Sequence, residues 1–347
     1  MSKLATINQH MAHMLSFSYP NSQLAKTISA ANFDWDTIVI EGSKHLVLPA
    51  LYCRLKAKQL LHILPKELVD YLEQITNINR SRNQSILNQV HNISKILNDN
   101  SIDHVFLKGT ALLASGYFKD NGERMVGDID ILVAKPQLHK AFNLLKVSGY
   151  DKTSGFAYDK KDFRHLDRLI ATDKLAAIEL HSELLNKSYW SLMDMENVIN
   201  SKTIVNGVAI PHINHFRKHI VLSWQLNDFG HYYNRISFKS HYDFIALDAY
   251  IDDDFITTLL KLKYGKSYLE LVKYYFPEFS KVPSNYYMTY RKLFYKAMLY
   301  YKPLNYLVSF TKQFTKFTFN RLYLVITNTS YVKHIIKNKL FKKSKLF

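Results

Sequence analysis

The sequence of 347 residues holds one cysteine, Cys53, so no internal disulfide can form and a secreted disulfide framework is excluded. With only 10 Gly and 8 Pro, collagen-like and linker-dominated chains are excluded as well. No run approaches the roughly 18 apolar residues of a membrane-spanning helix. The stretch LYLVITNTSYV between Arg321 and Lys333 is too short and contains Asn and Thr. Met1–Leu15 carries one lysine and an interrupted apolar pattern, so no signal peptide is expected there. The chain reads as cytoplasmic, soluble or peripheral to the inner membrane surface. What is present suits a folded protein. The composition is 47% hydrophobic and 22% charged, enough for a sizeable core and about two domains.

Acidic residues are missing from one end. Glu278 is the last of them, and the 69 residues that follow contain 14 Lys or Arg. Of the net charge of +17, only +3 is left for residues 1–278. A basic tail on a nearly neutral body points to a polyanionic partner. The tail also holds 17 Phe or Tyr, so it is not simply a solvated charge run. Phe310, Phe314 and Phe317 fall on one side of a helix, with Lys312 and Lys316 on another. Three readings stand open. The tail binds RNA by phosphate neutralisation and stacking, or it lies on an anionic membrane surface, or its aromatics pack on the body and its lysines are solvated. The final NKLFKKSKLF is expected to fray.

The chain divides into four stretches. Residues 1–100 are helical, with Leu68, Leu72, Ile75, Ile78, Ile86, Leu87, Val90, Ile93 and Ile96 at spacings mostly of three and four. Residues 101–210 hold a small mixed-sheet core. Strands are expected at IDHVFLKG, GDIDILVA, within DRLIATDKLAAIELH, which reads as two strands joined at Asp173-Lys174, and at NGVAIPHI. TALLASGYF and PQLHKAFNLLKVSGY read as helices between them. Residues 211–278 return to helical spacing, and 279–347 form the basic tail. The fold class is α+β, a small sheet embedded between helical regions.

Asp128 and Asp130 in GDIDILV carry the most information. On a strand, residues i and i+2 share a face, so the two carboxylates project together while Ile129 and Ile131 face the other way. Adjacent carboxylates repel unless a cation neutralises them, and the usual reason for such a pair is a divalent metal held by oxygen ligands. Glu179, on a later strand, supplies a third carboxylate if that strand neighbours the first. Three carboxylates suit a two-metal site for displacement at phosphorus. His181 shares the face of Glu179 and is either a functional group or a hydrogen-bonded strand histidine. Upstream, Gly109 and Thr110 follow a strand and open a helix, where backbone amides favour anions. Lys108 is a charge partner or a solvated strand-end lysine. Arg124 contacts a triphosphate or is a loop arginine paired with Glu123 or Asp120.

The run LKGTALLASGYFKDNGERMVGDIDILV resembles the nucleotidyltransferase superfamily of polymerase-beta type. More closely, LKGTAL (107–112), Arg124, GDIDILV (127–133) and IELH (178–181) resemble a bacterial family of uncharacterised nucleotidyltransferases, over at least residues 35–250, including helical SKHLVLPALYCRL and HYDFIAL. The resemblance implies a nucleotidyltransferase core with Asp128, Asp130 and Glu179 as catalytic metal ligands for Mg²⁺ or Mn²⁺. Gly109 and Thr110 become the nucleotide-phosphate loop. The superfamily usually has Gly-Ser or Gly-Gly there, and Thr keeps the hydroxyl. His165, in FRHLDRL, matches a histidine frequent in the family, either as acceptor contact or proton shuttle or as a fixed surface residue. The implied reaction moves an NMP from an NTP to a hydroxyl or phosphate acceptor, with release of pyrophosphate. RNA, a protein or a small molecule remain open as acceptors. The alternative is a non-catalytic module that binds nucleotide, RNA or a membrane surface.

Overall fold

The computed structural model describes residues 3–155, 157–159 and 163–337. The terminal NKLFKKSKLF, expected to fray, lies outside the described residues. The fold is α+β. Five strands, β1 (His104–Phe106), β2 (Ile129–Val133), β3 (Lys152–Ser154), β4 (Arg168–Ile170) and β5 (Ile178–His181), form one sheet in the order β1-β2-β5-β4-β3. β2 and β5 run parallel and the other neighbours antiparallel. A hairpin of β6 (Thr203–Val205) and β7 (Val208–Ile210) stands apart. The sequence pattern anticipates β1, β2, β4, β5 and β7, but not β3 or β6. Each of these two has three residues and little burial, so no alternation marks it. For β6 a signal did exist. Asn206-Gly207, with φ of +50° and +77°, makes the two-residue turn to β7 that positive-φ residues favour.

Alternation along the central strands separates two hydrophobic clusters. Ile129, Ile131 and Val133 of β2, with Ile178 and Leu180 of β5, face the large core that runs from Ile7 to Tyr295. Leu132, with Val105 and Leu107, faces a smaller cluster built by Leu184, Leu185, Met195, Val198, Leu222 and Leu226. Asp128 and Asp130 alternate with the isoleucines and so take the side of Leu132.

The helix Lys66–Asp99 starts just after Pro65, as its sequence suggests. Leu72, Ile86, Val90, Ile93 and Leu97 bury one stripe, whereas Ile78 is exposed. The middle of that stripe is polar because it grips a loop. The Nδ2 of Asn79 donates to Gly122 O (2.7 Å), and that of Asn83 to Asn121 O (2.6 Å) and Arg124 O (2.7 Å). Arg82 donates to Val126 O. The loop that leads into GDIDILV is therefore fixed by side-chain donors at helical spacing. The helical stretch SKHLVLPALYCRL belongs to two helices: the first ends at Lys44 and the second spans Leu48–Ala57. Leu46 breaks them with φ +55°, and Pro49 sits in the first turn of the second. In the tail, helices span Tyr286–Tyr300, Lys302–Thr327 and Thr329–Lys337. Among the described residues, no helix is long and apolar enough to cross a membrane.

Candidate active site

The parallel pairing of β2 with β5 sets Asp130 directly beside Glu179, and Leu132 beside His181. Neighbours in register share a sheet face, so Asp130, Glu179 and His181 converge. One ligand atom from each lies within 4.8 Å of the others, and all three residues are buried. Asp128 precedes β2 and is half-buried at the mouth of the group.

Protein cations compensate this charge. Asp130 Oδ1 accepts from Lys108 Nζ (2.6 Å) and pairs with His181 Nε2 (2.8 Å). Arg168 spans the other two acids, with Nε donating to Glu179 Oε1 (2.6 Å) and Nη2 to Asp128 Oδ2 (2.9 Å). Burial alone raises the pKa of the Asp130 carboxyl, but Lys108 and His181 outweigh it and hold the group well below the usual range. Glu179 behaves alike: burial and the charge of Asp130 are outweighed by the His181 hydrogen bond, the charge of His165 and the Arg168 hydrogen bond, and its pKa falls to about 2. Asp128 shifts the other way. Its desolvation exceeds the pull of Arg168, with Glu179 and Asp130 adding to the rise.

Arg168 was missed in the sequence. Its signal is the alternation in DRLIA. Leu169 is buried opposite Ile178, so Arg168 has to take the face of Glu179. His165 forms a bridge with His181, and its Nε2 lies 3.8 Å from Glu179 Oε2. Its side chain is 9% exposed, so the surface-histidine reading is corrected. Burial depresses its pKa.

Lys108 stands at the junction of β1 and the helix Lys108–Ser115 with φ +50°, so the left-handed turn belongs to Lys108 and not to Gly109. Such a conformation costs a non-glycine residue on the order of 1 kcal/mol. It accompanies the reach of Nζ to Asp130. At Gly109 a Cβ would meet only ordinary contacts, 3.4 Å from Val126 and 3.5 Å from Arg124. The Thr110 hydroxyl donates to the backbone carbonyl of Asp128 (3.1 Å) and ties the helix to the carboxylate strand.

Arg124 pairs with neither Glu123 nor Asp120, which corrects the loop-arginine reading. Its Nε and Nη2 reach Asp243 Oδ1 and Oδ2 at 2.6 and 2.7 Å, a bidentate pair buried on both sides. Asp120 pairs with Arg80 instead. Residues separated by 119 positions carry no local sequence signal of this contact.

Lys108 and Arg124 also line a cavity of about 380 Å³, together with Lys44, His219, Trp224 and Lys239. Four cations of its lining face two carboxylates, Asp228 and Asp243. His219 is buried and neither ring nitrogen has a hydrogen-bond partner. A cationic cavity that shares a lysine with a carboxylate cluster suits a polyanionic ligand.

Over residues 31–262 the sequence matches the family described as uncharacterised nucleotidyltransferase. The chain belongs to that family. The matched span contains the carboxylate strands, Arg168 and the helices that close the cavity. No curated protein matches the sequence. Membership brings a nucleotidyl-transfer role in general, with the acceptor unspecified. For the divalent ion that the family implies, the donor set fits: carboxylate oxygens in register on two strands, a third carboxylate at the mouth, and an imidazole. Oxygen ligands suit Mg²⁺, and the nearby His181 widens the choice to Mn²⁺.

Proposed function

We propose that this nucleotidyltransferase moves an NMP from an NTP to a hydroxyl or phosphate acceptor and releases pyrophosphate. The observation that carries the reading is the in-register pair Asp130 and Glu179, with Asp128 at the mouth and a cationic cavity beside it. A divalent ion, Mg²⁺ or Mn²⁺, held by Asp128, Asp130 and Glu179 would neutralise phosphoryl charge and lower the pKa of the acceptor.

The residues of the chain supply the rest. Lys108, with Arg124 and Lys239 along the cavity, binds the triphosphate, and amides at the start of the Lys108–Ser115 helix support it at Gly109 and Thr110. The acceptor oxygen bonds to the α-phosphorus as the bond to the bridging oxygen of pyrophosphate breaks. Asp128, the most accessible of the three acids, stands where the acceptor's proton can leave. His165 orients Glu179 from the far side.

A specific observation favours a second reading. Lys108 and Arg168 already pair with all three carboxylates, an arrangement that a binding module without catalysis would also use. One experiment separates them. The protein is incubated with each labelled NTP and Mg²⁺ or Mn²⁺, and label transfer and pyrophosphate are measured for the wild type and Asp130→Asn. Transfer that falls at least ~10³-fold in the variant supports catalysis. Transfer that survives the substitution refutes the site, and NTP binding by the wild type without pyrophosphate release establishes the binding module.

A further inference from the structure

The helix Lys302–Thr327 rests on the body through one face and leaves the other open. In this helix it is Lys312 and Lys316 that face the protein. Lys312 Nζ donates to the carbonyl of Tyr232 (2.6 Å) and lies near the rings of Tyr232 and Phe294. Lys316 Nζ sits 3.0 Å from the centre of the Phe229 ring. In this helix the contacts run against the reading of packed aromatics and solvated lysines, whereas elsewhere in the tail Phe279, Tyr295 and Tyr331 are buried against the body.

The opposite face is apolar and open. Tyr306, Phe310 and Phe314 follow at i, i+4 and i+8 with consecutive rings stacked, 6.3 and 6.2 Å between centroids. Phe317 continues the row, and Leu307 and Val325 flank it on the same arc of the helix. Phe310 is 55% and Phe314 59% exposed, and the helix buries no residue at all. The only charge on this arc is Arg321, which lies over the Phe317 ring at 3.9 Å. Leu322, 54% exposed, extends the apolar surface beside the arc.

We propose that this face of the Lys302–Thr327 helix docks on the surface of an anionic phospholipid bilayer, lying in the plane of the headgroups. Charge complementarity selects that occupant. No acid occurs after Glu278, Lys302 and Arg321 are exposed on this helix, and Lys333 and Lys337 are exposed on the next. Rings at headgroup depth with lysine and arginine around them match an anionic interface. A helix of 26 residues, about 39 Å long, offers enough length for contact along its axis. It is not apolar enough to span. RNA fits less well, because Leu307 and Val325 offer no ring for a base to stack on. A second copy fits less well too, because two tails of the same sign would repel at close range.

The test is flotation of the full chain with vesicles of phosphatidylcholine, with and without about 30% phosphatidylglycerol. Binding to the anionic vesicles that weakens with salt, and at least ~10-fold weaker binding of the variant Phe310→Ser/Phe314→Ser, are expected. Both side chains are exposed, so the variant keeps the circular dichroism and melting curve of the parent. The proposal is overturned if the protein does not float with anionic vesicles, if it floats equally with neutral ones, or if the double variant binds as well as the parent. It is also overturned if a single-stranded RNA oligonucleotide binds in place of vesicles, or if the stripe drives only concentration-dependent self-association.

Discussion

His241 lies in the helix Phe238–Ala246 with 1% of its surface exposed and no hydrogen-bond partner on either ring nitrogen. Its ring meets Tyr268 and Phe276 edge-on at 4.8 and 6.1 Å. Burial pushes its pKa down to about 3, and the charge of His45 adds to the fall. The folded state thus holds a neutral imidazole that the unfolded chain protonates near pH 6.5. The stabilisation is complete above that value and is lost as pH falls toward 3. With an unfolded pKa of about 6.5, linkage gives a loss of about 2 kcal/mol between about pH 8 and about pH 5. That is a large part of a total stability of roughly 5–15 kcal/mol. His219, also without a partner and also lowered to about 3, adds a similar loss. The perturbation is His241→Leu, which keeps an apolar side chain of comparable volume. Urea unfolding, followed by tryptophan fluorescence at both pH values, should show the variant losing about 2 kcal/mol less than the wild type on acidification. Parallel pH dependence in the two proteins would refute the claim that His241 is buried and neutral.

Two further outcomes follow from the ion pairs. Asp243→Ala leaves the Arg124 guanidinium buried and uncompensated, and should cost about 3–5 kcal/mol in urea unfolding. The double variant Arg124→Met/Asp243→Leu should recover most of that, and a single-variant loss under about 1 kcal/mol would contradict a buried charge pair. Arg168→Met removes the cation between Asp128 and Glu179. Because the guanidinium is about half exposed, the loss of stability without metal should be about 1 kcal/mol or less, while stabilisation by Mg²⁺ in a thermal melt should grow. An unchanged Mg²⁺ response would show that Arg168 and the ion do not share a site.

Much of the candidate carboxylate face was legible because it is encoded by periodicity. Alternation in GDIDILV separates Asp128 and Asp130 from Ile129 and Ile131, and the same rule in IELH places Glu179 with His181. The pairing of β2 with β5 only had to bring two legible faces together. Arg168 was legible in principle, since a buried Leu169 fixes its side, but a lone arginine carries no motif. Asn79 and Asn83 show why the polar residues in the long helix resist interpretation. They break the apolar stripe where the helix serves a loop, and the loop's position is not written in the helix. Short strands such as β3 are set by their partner's hydrogen bonds rather than by their own residues.

By itself the sequence determined the α+β class and the face the carboxylates share, because strand and helix periods are local, and the motifs LKGTAL, GDIDILV and IELH carried the family resemblance. It also determined that positive charge gathers after Glu278. The tertiary structure alone decided which cations answer those carboxylates, that Arg124 binds Asp243, and which residues close the cavity. It also turned the tail helix so that Lys312 and Lys316 meet the body and Phe310 and Phe314 meet solvent. A helical wheel separates these two faces, but only packing against Phe229 and Tyr232 chooses between them.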